Sequence, residues 1–442
     1  MYFSHFLNLI KYNLRFKENV SYHYFNFVSK IFVQILFPPL MILIWGAKNY
    51  GIWIMIISLG ALFIGVNFNF TEVVRLEMTK LYKKSKKISL NQLASNLFVS
   101  HSINIAFYVL LSLLFYFFIS TDEIEALAGL NNNEIQFILI FIFLSFLLES
   151  IINYFYPIIT FKGYTKNWIH QNTLFLFYSR FLILLGFVFN DFKYLALIYF
   201  VANIIRFLAM FYFFLKEKKN IKISLKYFNL KSSYDIFKKS ISYSFEKINA
   251  VINQNLIILL IGKFFSPSIV ALITTARTMF LYLPYSVYDI IYSPALIEFT
   301  SLKNMNKQKI IQKVLLFWKP VLFVSFLFIP FSLLLGKPIY SYWISDPQIQ
   351  ISLVFIFLLS TESFLITILN GLKIPFKSNN NFLFITKIET FFSILLLLII
   401  VAFIPSIDNW MIIFMISNVF LFLINIMFIF NYKSYLSKLH GK

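Results

Sequence analysis

A handful of ionisable side chains interrupt long apolar stretches: Lys30, Glu149, Arg180, Arg206, Glu246, Lys247, Arg277, Asp289, Lys319, Glu362, Lys387 and Glu389. Charge at membrane depth is costly and is retained where it faces protein or water. Lys30, Lys247 and Arg277 lie well inside their stretches. If the two halves of the chain face each other, these cations would line one central cavity suited to an anion, above all a phosphate group. The competing reading is internal pairing: Lys247 beside Glu246, Arg277 with Asp289 or Glu246, and Lys30 snorkelling to the interface. Glu246 and Asp289 are also the carboxylates that could couple a cavity to an H⁺ or Na⁺ gradient. Glu149 with Arg180, and Glu362 with Lys387, read as structural pairs joining neighbouring spans, because removing one member would leave a buried orphan. Arg206 and Lys319 read as snorkelling near helix ends.

Other chemistries have no residues to run them. The five histidines are scattered without metal-ligand spacing, and cysteine is absent. No phosphate-binding G-x-x-x-x-G-K-[ST] loop occurs. No long polar loop offers the acids and bases of a glycosyl-transfer or polymerase site. The expectation is a carrier with no catalytic residue, metal or cofactor. The net charge of +21 points to anionic membrane lipids rather than nucleic acid, because the bases gather at the ends of apolar stretches.

The elements that must position these charges are membrane spans. The chain is 60% hydrophobic and 13% charged, with a mean hydropathy of +0.77. Stretches long enough to cross a bilayer fall at 24–46, 50–70, 92–119, 135–160, 167–189, 193–215, 241–263, 268–297, 312–336, 349–370, 380–404 and 408–432. The connections alternate in charge. Arg75 and Lys80–Lys87, then Lys216–Lys239, then Lys303–Lys313 load every second loop, whereas 121–134 carries Asp122, Glu123, Glu125 and Glu134 and no base. That alternation places the basic loops and both termini in the cytoplasm. The residues before Tyr22 look like an amphipathic surface helix. The basic linker 216–240 divides the spans into two sets of six, giving lobes 1–215 and 241–442 related as parallel repeats. Glu149-Ser150 in the fourth span and Glu362-Ser363 in the tenth support the repeat. Tyr50, Trp53, Trp168, Trp343 and Trp410 read as interfacial aromatic belts. The expected fold is therefore an all-α polytopic membrane protein of twelve helices in two six-helix lobes.

Two segments carry a resemblance. Tyr50-Gly51-Ile52-Trp53 resembles the opening of the second helix of the polysaccharide (O-antigen) flippases. The run from Ala271 through Arg277 to Pro284, continued by Ser293, Pro294 and Glu298, is similar to the eighth helix of these flippases and of their lipid II flippase relatives. Asn67-Phe68-Asn69-Phe70 departs from the Asp and Gly that the family often carries after its second helix. The resemblance implies a MATE-like fold within the multidrug/oligosaccharidyl-lipid/polysaccharide exporter superfamily. It implies a bacterial inner-membrane protein that turns a polyprenyl-diphosphate-linked oligosaccharide to the outer leaflet, alongside a polysaccharide polymerase and a chain-length regulator. Arg277, Lys30 and Lys247 would then hold the diphosphate. The alternative is a MATE-type H⁺- or Na⁺-coupled drug exporter using carboxylates such as Glu246, Asp289, Glu149 and Glu362. The first span speaks against it, offering Lys30 and no acid.

Overall fold

The computed structural model describes residues 14–440 apart from 66–69, 119–129, 163–165, 187–190, 220, 286–291, 293–294, 297–298, 300–306, 348, 379–381 and 405–408. Those described are almost entirely helical: α1 (Leu14–Gly65), α2 (Phe70–Lys83), α3 (Lys87–Phe118), α4 (Asn132–Thr160), α5 (Lys166–Gly186), α6 (Phe192–Lys218), α7 (Leu230–Val251), α8 (Ile257–Phe264), α9 (Pro267–Arg277), α10 (Lys307–Trp343), α11 (Leu353–Ser378), α12 (Leu383–Phe403) and α13 (Met411–His440). Each of the twelve expected spans contains described helix. Among the described residues, eight helices are long and apolar enough to cross a membrane. The first of these, within α1, carries the first two expected spans. The seventh and eighth are broken by π-helical turns at Ile252–Leu256 and Thr278–Tyr282.

Alternation of charged loops does not specify how α1 is divided, and glycine does. Gly46 sits at φ 77°, ψ 161°, a backbone state that L side chains rarely adopt. It breaks a run of 52 residues into the first two spans. Five residues on, Gly51 has its own reason to lack a side chain: a Cβ there would run into the backbone carbonyl of Pro267 at the start of α9.

Packing divides the chain into two compact units, one of Met1–Pro39 with Ala271–Lys442 and the other of Leu40–Val270. The division falls at Pro39 and Val270, outside the basic linker. The repeat-based lobes 1–215 and 241–442 are a separate statement about symmetry and remain a proposal.

In the 40–270 unit, α4 packs along α6, and α2 lies against α3, α4 and α7. The basic stretch between the second and third spans, expected as a loop, contains α2. Its Val73, Val74, Leu76 and Met78 are fully buried. Arg75, counted in sequence as a loop cation, is also buried. Its Nε donates to Glu72 at 2.9 Å, and its guanidinium lies 5.4 Å from the Tyr156 ring centre. Burial opposes the Arg75 charge, but Glu72 and Tyr156 hold its pKa above the ordinary arginine value. At the far end of α4, Asn131 and Glu134 form a capping box. Glu134 also bonds Lys193 of α6 at 2.9 Å.

The basic linker is not a loose tether. Lys222 N–H donates to Asn91 Oδ1 at 2.9 Å, Ser224 N–H to Ser95 Oγ at 3.1 Å, and Asn229 N–H to Asn96 Oδ1 at 2.9 Å. One face of α3 thus holds the linker by its backbone.

In the other unit, α11 packs between α10 and α13. Asn418 and Asn425, seven residues apart on α13, donate to the carbonyls of Leu358 and Leu365 on α11, each at 3.1 Å. Trp318 of α10 donates to Thr367 O at 2.9 Å and lies over Gly371, where a Cβ would strike its ring. The first part of α1 joins this unit: Trp343 Nε1 donates to Ile35 O at 2.6 Å.

Two aromatic expectations are corrected. Tyr50 and Trp53 do not face an interface; both are buried in the 40–270 unit, with Trp53 edge-on to Tyr199.

Candidate functional site

The candidate site in the Ala271–Lys442 unit forms around Arg277. The residue ends α9 and opens directly into the π turn Thr278–Tyr282. A π turn inserts one residue per turn, shifts the side chains that follow and recurs at functional positions. Its irregular backbone is supported from α11, where Ser363 Oγ donates to Leu281 O at 3.2 Å. Two residues before Arg277, Thr275 Oγ1 and Tyr340 Oη are 2.6 Å apart.

The Arg277 side chain is 4% exposed. Its guanidinium lies 5.1 Å from the centre of the Phe414 ring on α13, a cation–π contact that serves a planar cation well. Glu362 of α11 is also buried and within electrostatic reach of Arg277. Glu362 makes no ion pair within 4 Å among the described residues, and its Oε2 has no hydrogen-bond partner there. The chemistry of this cluster is a shielded cation beside an acid that compensates it across a gap rather than by contact.

Placement of the other sequence candidates is mixed. Lys30 is half-buried on the first part of α1, in the same unit as Arg277. Lys247 and Glu246 are half-buried on α7 and belong to the 40–270 unit. Asp289, Ser293, Pro294 and Glu298 lie outside the described residues, as do Asn67, Asn69, Asp122, Glu123 and Glu125.

The two structural pairs are corrected. Glu149 stands 3.9 Å from Arg206, not paired with Arg180. Arg206 donates to Asn172 Oδ1 at 2.8 Å and lies 4.5 Å from the Phe175 ring centre, so it does not snorkel. Arg180 acts electrostatically on Tyr50 and Tyr199. Glu362 is not paired with Lys387, which is exposed. The ion pair joining α11 to α12 is Lys373 with Glu389. Both errors share a cause. Sequence gives the depth of a charge but not the rotation of its helix, so Glu149 meets Arg206 two spans on rather than Arg180, and Glu389 of α12 meets Lys373 rather than Lys387 meeting Glu362.

Sequence reasoning read His101 only as one of the scattered histidines. It is buried, stacked on Tyr154 at 5.5 Å between ring centres, with Nε2 2.9 Å from Ser150 O. Ser150 belongs to the Glu149-Ser150 pair, which was the available signal.

No family model matches the chain, and no curated protein matches it. Solved structures do. A mutant of the MATE transporter VcmN from Vibrio cholerae superposes with a TM-score of 0.70 at 12% identity, covering 97% of this chain and 100% of that one. An outward-facing multidrug resistance MATE family transporter of the MOP superfamily gives 0.65 at 12% identity, over 96% of each chain. The lipid II flippase MurJ, in an inward closed conformation, gives 0.62 at 14% identity, over 95% of this chain and 88% of that one. At such identities the likeness concerns the fold. The chain is a multi-pass, all-α membrane protein with a MATE-like fold over nearly its whole length.

Proposed function

We propose that this protein is a flippase that carries a polyprenyl-diphosphate-linked oligosaccharide from the cytoplasmic to the outer leaflet by alternating access. The carrying observation is the sign of the charge inside the first helix and at Arg277. From Ser21 to Gly65, α1 contains Lys30 and Lys48 and no carboxylate. Arg277 is held inside its unit at a π turn, with Phe414 on its face. A carrier of cationic drugs needs acids where these cations stand. Arginine also presents a planar set of donors that fits a diphosphate oxygen pair.

In this reading Arg277 and Lys30 bind the diphosphate. The prenyl tail stays in lipid while the sugar crosses in water. No bond is made or broken, so the protein is not an enzyme. The basic loops and both termini face the cytoplasm of a bacterial inner membrane, and the polymerase and chain-length regulator act on the delivered product.

The test is transfer of a fluorescent polyprenyl-diphosphate oligosaccharide across proteoliposomes. Protected fluorophore should appear with the wild-type chain, fall partly in Arg277→Lys and fall severely in Arg277→Ala at equal reconstitution. Transport of a cationic dye in its place, with the lipid-linked sugar inert, would hand the assignment to the drug-exporter reading. Reporters fused at Leu127 and Leu225 should report opposite compartments, with Leu225 cytoplasmic; one compartment for both would remove the topology.

A further inference from the structure

A groove of about 700 Å³ opens on the 40–270 unit, between α3 and the first turns of α7. It falls in the size range of small-molecule sites. Ile103 and Phe107 of α3 form one wall, and Leu230, Tyr234 and Phe237 of α7 form the other. Ile103, Leu230 and Tyr234 are strongly exposed at 65%, 76% and 64%. Four polar residues break this apolar lining: Ser100 and Asn104 on α3, and Lys231 and Ser233 on α7. Lys231 is exposed at the groove and makes no ion pair among the described residues. Ser233 also lines it, and its Oγ is buried with no hydrogen-bond partner there.

Asn229 N–H meets Asn96 on α3, so α7 begins beside the polar stitch of Asn91, Ser95 and Asn96. From Phe98 to Phe118, α3 carries no acid, lysine or arginine. The groove therefore straddles the boundary between a polar, basic surface and an apolar helix. Lys226, Lys238 and Lys239 raise the local positive charge, with Lys239 held 3.2 Å from Glu77. Asp235 is the one acid on these turns of α7, and it does not line the groove.

We propose that this groove is a binding site for an anionic glycerophospholipid of the leaflet facing the basic linker. Its phosphate sits at Lys231, and an acyl chain lies along Ile103, Phe107, Tyr234 and Phe237. Charge complementarity and the sharp polar-to-apolar boundary carry the choice of occupant. A single lysine over a largely apolar trough fits one phosphate and its tail. The proposal stands apart from the flippase reading and survives or fails without it.

The test uses the full chain in nanodiscs with tryptophan placed in either wall, as Tyr234→Trp or Ile103→Trp. Quenching by phosphatidylglycerol brominated on its acyl chains is compared with quenching by equally brominated phosphatidylcholine, after subtracting the signal of the parental chain. One lysine near the surface is worth ~1 kcal/mol toward an anionic lipid, or roughly a fivefold preference. Both reporters should show half-quenching at about fivefold lower mole fraction of phosphatidylglycerol, and Lys231→Gln should erase the difference. Equal midpoints for the two lipids would overturn the site, and so would a preference that survives Lys231→Gln. Release of quenching by a prenyl diphosphate but not by unlabelled phosphatidylglycerol would also overturn it, giving the groove to another lipid.

Discussion

Arg206 and Arg277 are buried arginines within helices of opposite units, and their surroundings differ in kind. Arg206 sits in the unbroken α6, with a side-chain hydrogen bond to Asn172, a carboxylate at 3.9 Å and an aromatic face at 4.5 Å. Arg277 sits at the end of α9, against a π turn, with an aromatic face at 5.1 Å and an acid held off at longer range. The first arrangement ties α6 to α5 through Asn172 and Phe175 and to α4 through Glu149. The second keeps a cation in place beside an irregular backbone without spending its fork of donors on Glu362. The contrast teaches that depth alone does not mark a functional charge; the backbone around it, regular at Arg206 and π-helical at Arg277, differs as well.

The most damaging way to probe that contrast is Arg206→Ala. It strands Glu149 and Asn172 and should cost about 3 kcal/mol, the low end for a broken buried pair because Glu149 is partly accessible. Membrane abundance and the unfolding temperature in detergent should both fall, and adding Glu149→Gln should recover part of the loss. If neither falls, Arg206 is not scaffold and the contrast collapses. Arg277→Ala should behave in the opposite sense. Loss of a charge-assisted contact to substrate is worth about 1.5–3 kcal/mol, or on the order of 10- to 100-fold in transport, with abundance near wild type. A drop in abundance rescued by Glu362→Gln would make Arg277 a second Arg206. The smallest effect sharpens the picture of the Arg277 unit. Asn418→Leu and Asn425→Leu should each lower stability by about 0.6 kcal/mol, the average for polar contacts between membrane helices. Standing two turns apart, they should add. Unfolding of the double variant in detergent measures this; a cooperative loss well beyond the sum would show that the two bonds act as one.

The all-helical, multi-span architecture was legible because hydropathy and loop charge report directly on membrane crossing. The clearest residue-level signal was glycine. In a chain with only 11 of them, Gly51 stood out beside Trp53, and its closeness to Pro267 supplies the reason. Arg277 was legible as a buried cation, but its neighbours Glu362 and Phe414 were not, because they come from distant spans whose rotation no local pattern encodes. Asparagines were the main blind spot. Asn91, Asn96, Asn418 and Asn425 each hold a specific backbone group, yet in a composition rich in asparagine none looks selected. α2 was missed for a related reason: lysines at its surface made a helix with a buried face read as a basic loop.

The stitching of the linker to α3 changes what covalent continuity is for in that part of the chain. Residues 222–229 are held at three backbone positions by side chains of another helix, so their location does not depend on the peptide bonds that lead into and out of them. A nick there would remove a connection but not an address. The two fragments would still be written for each other by Asn91, Ser95 and Asn96, and the gene could be divided at this point and its products expected to find the same seat.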